Sequence, residues 1–161
     1  EASANDNFTS FGNVYSPSSA FPQYVWGYKV VTTETSESWT INNFWHKNHL
    51  AFVLRGAGSN PSINIRSRVS DPSDTTPDIG NVSLGGNYSI CFMLCFSRES
   101  TSNLTVPSNS TLVLRLPGIS GDYNAACIAY REISASGTYN LGSFGNAENE
   151  GNTLEVFEIN A

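Results

Sequence analysis

The chain of 161 residues has few charged side chains and no long apolar run. Only 14% of its residues are charged, whereas an average soluble protein has about a quarter. The net charge is −6, and a chain with this acidic balance repels phosphate backbones, so we expect no nucleic-acid partner. No run of about twenty apolar residues is present to span a bilayer, and residues 1–6 lack the basic and apolar regions of a signal peptide.

The sequence also lacks the residue patterns of the common enzyme classes. It contains no P-loop, no Gly-x-Ser-x-Gly elbow, no His-Glu-x-x-His and no Cys-x-x-Cys. The two histidines, His46 and His49, are interpreted as solvated loop residues rather than as a catalytic base or a metal-binding pair. Paired carboxylates for glycoside hydrolysis are possible in principle at Glu148 and Glu150, with Glu155 and Glu158 following, but residues 146–152 look like an exposed acidic hairpin loop. We therefore expect no enzymatic activity and no cofactor.

Three aspartates in segment 70–78 are a candidate for an ion site. Asp71, Asp74 and Asp78 could offer oxygen ligands to calcium, but they lack the spacing of an EF-hand and its closing bidentate glutamate. The segment has two prolines and no apolar anchor, so it predicts a long solvated surface loop without a metal.

The three cysteines are Cys91, Cys95 and Cys127. Cys91 and Cys95 face the same side of one predicted strand about 13 Å apart, which is too far for a disulfide. Either of them could reach Cys127 if the two strands are neighbours. The interpretation that we favour is three buried thiols that act as small apolar side chains.

The most apolar stretch, Ile90 to Phe96, predicts a central strand that is buried on both faces. Shorter runs with period-two alternation occur on both sides of it, at spacings near twelve residues and with turn-rich segments between them. Nine or ten such strands predict an all-β fold: a two-sheet antiparallel sandwich with jelly-roll or another Greek-key topology. The pair Gly85-Gly86 predicts a tight hairpin turn that joins a short strand to the central one.

The length of the chain predicts one folded domain, which we place at residues 24–161. Residues 1–23 are rich in Ser, Asn, Pro and Gly and carry isolated aromatic side chains. They predict either an extended arm that lies over a surface or a flexible terminus.

A cluster of aromatic, amide and cationic side chains lies between Trp39 and His49. Aromatic faces stack on apolar patches while amides bind hydroxyl groups, which suits a sugar ring or a polar loop of a partner protein. The alternative is that part of the cluster belongs to the core. We predict a binding site for a glycan or a partner at Phe44, Trp45, His46, Lys47 and Asn48.

Two arginines, Arg66 and Arg68, are predicted to share one outward face of a strand with one solvated side. That arrangement suits pairing across an interface, and it equally suits protection against strand aggregation. Five N-glycosylation sequons also occur, a number that this composition gives by chance: Asn7, Asn81, Asn87, Asn103 and Asn109.

The low charge, the predicted β content and the abundance of Ser, Thr, Asn and Gly are typical of secreted, cell-surface and virion proteins. The strand layout and the turn segment Leu54 to Gly58 resemble viral coat jelly rolls, and no residue role is transferred from that resemblance. We expect a non-enzymatic structural and recognition protein, extracellular or on a virion surface, such as a spike, fibre head, protruding or minor capsid domain. Its expected partners are itself, as a homo-oligomer, other coat subunits and a glycan receptor for host attachment. The alternative is a secreted carbohydrate-binding lectin or adhesin.

Overall fold

The computed structural model describes residues 9–10, 27–28, 54, 61–71, 74–98, 103–117, 124–147 and 151–160. These ranges contain no helix, and hence no helix that could cross a membrane. They contain nine strands, and every pairing between them is antiparallel, which confirms the all-β prediction for this part of the chain. The strands are β1 (Thr9–Ser10), β2 (Gly27–Tyr28), β3 (Ser62–Asp71), β4 (Asn81–Leu84), β5 (Ser89–Arg98), β6 (Thr111–Leu116), β7 (Asn124–Ile133), β8 (Gly137–Asn140) and β9 (Asn152–Asn160).

The largest sheet has five strands in the order β3-β9-β5-β7-β6. Strand β5 lies at its centre and contains the apolar run from Ile90 to Phe96, so the prediction of a central strand is confirmed. Five consecutive side chains of β5, from Cys91 to Cys95, are buried. A strand whose two faces are both apolar is stable only where both faces are covered, and the middle of a sheet provides such a place.

The two faces of the five-stranded sheet carry different side chains, because successive residues of a strand point to opposite sides. One face, which we call the thiol face, carries the odd-numbered residues of β5. It packs against buried residues of β4 and of the segments that follow β5 and β8, among them Val82, Leu84, Leu104, Leu141 and Phe144. The opposite face, which we call the aromatic face, carries Phe92 and Leu94. There the ring of Phe92 stacks on that of Phe157, with 5.0 Å between ring centroids.

Strand β4 does not form a hairpin with β5, so the predicted hairpin turn at Gly85-Gly86 is wrong. Instead β4 pairs with β8 in a separate two-stranded sheet, with Val82 opposite Tyr139. The glycines lie where the chain leaves that small sheet and enters the five-stranded one. Their backbone N–H groups donate to the side chain of Glu158 rather than across a hairpin.

The segment 70–78, predicted as a loop without an apolar anchor, begins in β3 with Ser70 and Asp71, and its described residues 74–78 contact the rest of the fold. The side chain of Pro77 is buried, and its carbonyl accepts a hydrogen bond of 3.1 Å from the backbone N–H of Phe144. The carbonyl of Thr75 accepts one of 3.0 Å from Ala147. Periodicity could not reveal this anchoring, because backbone hydrogen bonds to a distant loop leave no pattern in the side chains.

The last strand, β9, lies inside the sheet between β3 and β5. Glu155 and Glu158 on this strand are both buried. Ala147 and Asn152 are buried too, so the prediction of an exposed loop over residues 146–152 is wrong at these two positions. A strand that carries charge can occupy the middle of a sheet only if its neighbours supply partners for those charges.

The N-terminal region contributes one short pairing to the described structure. Thr9 of β1 lies opposite Tyr28 of β2, and Ser10 lies opposite Gly27. The other residues of segment 1–23 lie outside the described residues. The division into an arm and a domain at residues 24–161 therefore stays a prediction.

The packing of β5 predicts a large difference between two leucines. Leu94 is fully buried, whereas Leu112 on β6 is 40% exposed. We expect Leu94→Ala to lower the free energy of unfolding by about 2–5 kcal/mol, because it removes buried methyl groups and leaves a cavity. Leu112→Ala serves as the matched control and should cost under about 1 kcal/mol. Urea denaturation curves of the two variants measure this, and equal losses would contradict the assignment of β5 to the core.

Candidate functional site

The candidate site is a turn of four residues, 85–88, which we call the Tyr88 turn. The Tyr88 side chain is 84% exposed, and its backbone has a φ of 58°. A positive φ is rare for a bulky side chain, and such a conformation costs about 1–3 kcal/mol unless its surroundings hold it. The site therefore combines a solvent-facing aromatic ring with a strained backbone, and the contacts that hold the turn explain how it persists.

The buried Glu158 carboxylate of β9 binds the backbone of the turn from its interior side. It accepts hydrogen bonds from the backbone N–H groups of Gly85, at 3.1 Å, and Gly86, at 2.9 Å, and from the hydroxyl of Ser89, at 2.6 Å. The Arg66 guanidinium completes the set, with Nε at 2.7 Å from Oε2. Two donors from the turn and one from the first residue of β5 thus converge on one buried group.

The ionisation of Glu158 follows from these contacts. Burial alone would raise the pKa of its carboxyl, but the hydrogen bonds from Ser89, Gly86, Gly85 and Arg66 outweigh burial and lower the pKa to about 2. The group is an anion at neutral pH. Hydrogen bonds to a charged acceptor are roughly twice as strong as those between neutral groups, so the turn is held firmly.

A β-bulge explains how the arginines of β3 reach the glutamates of β9. Glu155 and Glu158 are three residues apart and therefore point to opposite faces of the sheet. Arg66 and Arg68 are two residues apart and would share one face in a regular strand. The register of β3 shifts between Ile65 and Ser67, which makes Arg66 an extra residue.

After this shift each arginine side chain forms an ion pair with one glutamate. Arg66 pairs with Glu158 on the thiol face, and Arg68 approaches Glu155 to 3.2 Å on the aromatic face. Both arginine side chains are only 28% exposed. The prediction of a shared outward face is therefore wrong, because one inserted residue reverses the alternation on which it depended.

The rest of the Tyr88 turn is shaped by close packing. A Cβ atom at Gly86 would collide with the side-chain oxygen of Asn160 and lie 2.9 Å from the Cβ of Ser89, so a larger residue would require these side chains to shift. The side-chain oxygen of Asn87 accepts a hydrogen bond of 3.1 Å from the backbone N–H of Ser136, in the connection between β7 and β8. These contacts join the turn to β9 and to the connection that follows β7.

Among the described residues, the turn and the connection that it contacts expose mainly polar and small side chains. Asn87 is exposed, and so is the connection of small residues that it contacts, namely Ser134, Ala135, Ser136 and Gly137. A tyrosine ring among asparagine, serine and glycine is a combination common in binding loops, since the ring offers contact area at little entropic cost and the small residues adapt their hydrogen bonds. The arrangement is suited to non-covalent recognition.

The buried thiols near the site are poor nucleophiles in the folded chain. Burial, together with the nearby Glu158 carboxylate, raises the pKa of Cys91 to about 12 although the Arg131 guanidinium acts in the opposite direction. Burial raises the pKa of the Cys95 and Cys127 thiols as well. A thiol reacts as its thiolate, so these groups are inert at neutral pH while they stay buried.

Two of the three aspartates that were considered as calcium ligands stabilise local turns. The Asp74 carboxylate accepts hydrogen bonds from the backbone N–H and hydroxyl of Thr76, and that of Asp78 accepts one from the backbone N–H of Gly80. Asp71 lies in β3. Within the part of the chain that the structure describes, no three acidic, histidine or cysteine side chains come together as a metal site.

The binding residues predicted from the sequence lie outside the described residues, so that site stays a prediction: Phe44, Trp45, His46, Lys47 and Asn48. His49, Glu148 and Glu150 lie outside them as well. Sequence reasoning overlooked Tyr88. The sequence feature that could have identified it is an aromatic residue that directly follows Gly85-Gly86-Asn87 and precedes a buried strand.

Comparisons with known proteins identify no relative of this chain. No family model, no curated protein and no solved structure matches it. The function is therefore inferred from the geometry of the described residues and from the composition.

The Glu158 network predicts a pH-dependent loss of stability. A carboxylate whose folded pKa is about 2, below its ordinary value of 4.5, stabilises the fold above pH 4.5 and loses that effect as the pH falls towards 2. At pH 7 we expect Glu158→Gln to lower the free energy of unfolding on the order of 3 kcal/mol. The difference from wild type should shrink between pH 4.5 and pH 2.

Glu132→Gln provides the control for this experiment, because Glu132 is an exposed glutamate on the neighbouring strand β7. Chemical denaturation of the three proteins across this pH range measures the effect. A wild-type to Glu158→Gln difference that stays constant down to pH 2 would show that the carboxylate does not hold the turn as an anion.

Proposed function

We propose that the chain is a non-enzymatic structural and recognition protein of an extracellular assembly of the virion-surface type, such as a spike, fibre head, protruding or minor capsid domain. The observation that carries the proposal is the Tyr88 turn, where an 84% exposed aromatic ring is held in a strained conformation by a buried ionic network. Pre-organisation of this kind favours binding, because less conformational freedom is lost when a partner arrives.

The way the chain uses its buried ionisable groups supports the proposal. Glu158 and Glu155 each face an arginine of β3 inside the sheet, where they join strands. Cys91 is a buried neutral side chain of the thiol face. These groups serve the fold, whereas catalysis uses perturbed groups that open into a cleft. The surface around the turn offers rings, amides and hydroxyls, which suit contact with another molecule.

The two buried faces of the five-stranded sheet support a layered architecture. Phe92 and Leu94 on the aromatic face are buried, as are Cys91 and Met93 on the thiol face. A sheet that is apolar on both sides needs a further layer on each. We infer a sandwich of jelly-roll or related Greek-key topology, in which β4 and β8 belong to the layer over the thiol face. This architecture is common in capsid and lectin domains.

The partner that fits the first proposal is a second copy of this chain or another coat subunit. Exposed tyrosines rank among the residues that contribute most to protein interfaces, and a surface with low charge lets copies approach without strong repulsion. The Tyr88 turn would then lie in an interface between subunits.

Native mass spectrometry and light scattering of the full chain test this proposal. We expect a closed homo-oligomer. Tyr88→Ala should weaken assembly by at least about tenfold, the effect of truncating an aromatic residue that contributes strongly to an interface. Tyr88→Phe should retain assembly because it keeps the ring, and Leu112→Ala controls for loss of another exposed apolar side chain. A wild-type chain that stays monomeric at high concentration would overturn the assembly proposal.

A secreted carbohydrate-binding lectin or adhesin is the second candidate, and the surroundings of Tyr88 favour it. The apolar face of a sugar ring stacks on a tyrosine, while the amide of Asn87 and the nearby serine hydroxyls suit its hydroxyl groups. Under this proposal a monomeric chain binds to a glycan array, Tyr88→Ala abolishes the signal and Tyr88→Phe keeps it. An array with no signal for the wild type would reject it.

A further inference from the structure

We propose that Cys95 and Cys127 form a disulfide between β5 and β7 when the chain folds in an oxidising compartment, while Cys91 remains a free thiol. The inference goes beyond the proposed function, because it concerns a covalent link inside the sheet rather than a binding surface. It rests on the strand register and on the position of a third side chain, Arg115.

The register places the two cysteines directly opposite each other. Cys95 on β5 pairs with Cys127 on β7. Both side chains point to the thiol face, where they belong to one buried cluster. All three cysteines of the sequence lie within the described residues, so every intramolecular pairing can be judged.

The backbone hydrogen bonds of β5 show that Cys95 and Cys127 form a hydrogen-bonded antiparallel pair rather than a non-hydrogen-bonded one. The backbone N–H of Arg98 donates to Gly151, on the side of β9. Successive residues of a strand bond to alternate sides, so Cys95, three residues earlier, bonds towards β7. Residues in such a hydrogen-bonded antiparallel pair have Cα atoms roughly 5.5 Å apart. This separation falls within the usual range of disulfides.

Cys91 is excluded as a partner by its position in the same sheet. It lies opposite Arg131 on one side and Glu158 on the other. Four residues separate it from Cys95 along β5, a distance of about 13 Å. Because β7 runs antiparallel to β5, Cys127 is displaced from Cys91 by about the same length. A bridge from Cys91 would require the strands to slip by four residues.

The bond is expected to form during folding rather than in the finished structure. In the native fold Cys95 and Cys127 are at most 1% exposed. Before the layer that contains β4 and β8 covers the thiol face, these thiols are open to solvent. Once β6 has paired with β7, Arg115 lies opposite Cys127 in the still uncovered sheet. A neighbouring guanidinium favours the thiolate, which is the attacking form.

The oxidant is a small-molecule disulfide such as oxidised glutathione, and the exchange balances as two steps. The Cys127 thiolate attacks one glutathione sulfur, a mixed disulfide forms, and the first glutathione leaves as a thiolate. The Cys95 thiolate then attacks the Cys127 sulfur and expels the second glutathione. The two protein thiols lose two electrons, oxidised glutathione gains them, and the two thiol protons end on the two glutathione molecules.

The bridge should be easily reduced. Cβ atoms of opposed residues in antiparallel strands lie about 4.5–5.5 Å apart, at the wider end in hydrogen-bonded pairs. A disulfide needs roughly 3.8 Å, so closing the bond draws the two strands together. Strained disulfides of this kind are reduced more readily than relaxed ones.

Refolding of the full chain followed by cleavage at its single methionine tests the proposal. Met93 lies between Cys91 and Cys95, so cyanogen bromide yields residues 1–93, with Cys91, and residues 94–161, with Cys95 and Cys127. The urea-denatured, reduced protein is refolded with a mixture of reduced and oxidised glutathione, then denatured, alkylated at free thiols and cleaved. A second sample is refolded with excess reductant.

We expect one alkylated cysteine, Cys91, after oxidative refolding and three after reductive refolding. On a non-reducing gel the two cleavage fragments should separate, because the bridge lies within the second fragment. Mild reductant should restore all three thiols, and the oxidised protein should unfold at a higher urea concentration than the reduced one. Cys91→Ser should leave the bridge intact, whereas Cys127→Ser should abolish it.

Three results would overturn the proposal. Three alkylated cysteines after oxidative refolding would show that no bridge forms. Fragments that stay joined until reduction would show that Cys91 is a partner. Disulfide-linked dimers without an internal bridge would show that the cysteines pair between chains. Because the wild-type protein alone gives each of these outcomes, the test does not depend on whether the Cys127→Ser variant folds.

Discussion

Burial of two carboxylates in an interior strand is the constraint on which the rest of this structure depends. Glu155 and Glu158 lie on β9, between β3 and β5, and an uncompensated charge in such a place would cost several kcal/mol. The arginines of β3 compensate them only because a bulge lets Arg66 and Arg68 reach opposite faces. The pairing register of β3 on β9 is thus set by charge as well as by apolar side chains. Removal of one partner would leave the other buried and uncompensated.

The same network links the core to the surface. The carboxylate of Glu158 belongs to the thiol face, yet two of its donors are backbone groups of an exposed turn. The turn can therefore hold Tyr88 at a φ of 58° without support from its own side chain. The energetic cost of the positive φ at Tyr88 is offset by hydrogen bonds from the turn to the buried Glu158 carboxylate. This coupling holds a short glycine-containing turn in one conformation, which the recognition role that we propose for it would require.

The functional proposals rest on the contrast between interior and surface. The three thiols and the carboxylates of Glu155 and Glu158 are enclosed in the described sheet, while the end of the sheet near Tyr88 presents a ring, amides and hydroxyls. Such a surface favours contact with a neighbouring subunit or a sugar. The opposed thiols of Cys95 and Cys127 add a link that depends on the conditions of folding. An extracellular assembly would supply both the partners and the oxidising environment.

The sequence by itself determined the all-β class and the place of β5 at the centre, because a run of apolar residues with period two can be buried only between other strands. It also located most of the described strands from Ile63 onwards. The tertiary structure alone decided the pairing of β4 with β8, the burial of Glu155 and Glu158, and the opposition of Cys95 to Cys127. These features arise from contacts between residues far apart in the chain, and a single bulged residue reverses the alternation that local patterns assume. The hydrophobic periodicity of a strand indicates which of its side chains are buried. Its neighbouring strands and its pairing register are determined only by contacts in the folded sheet.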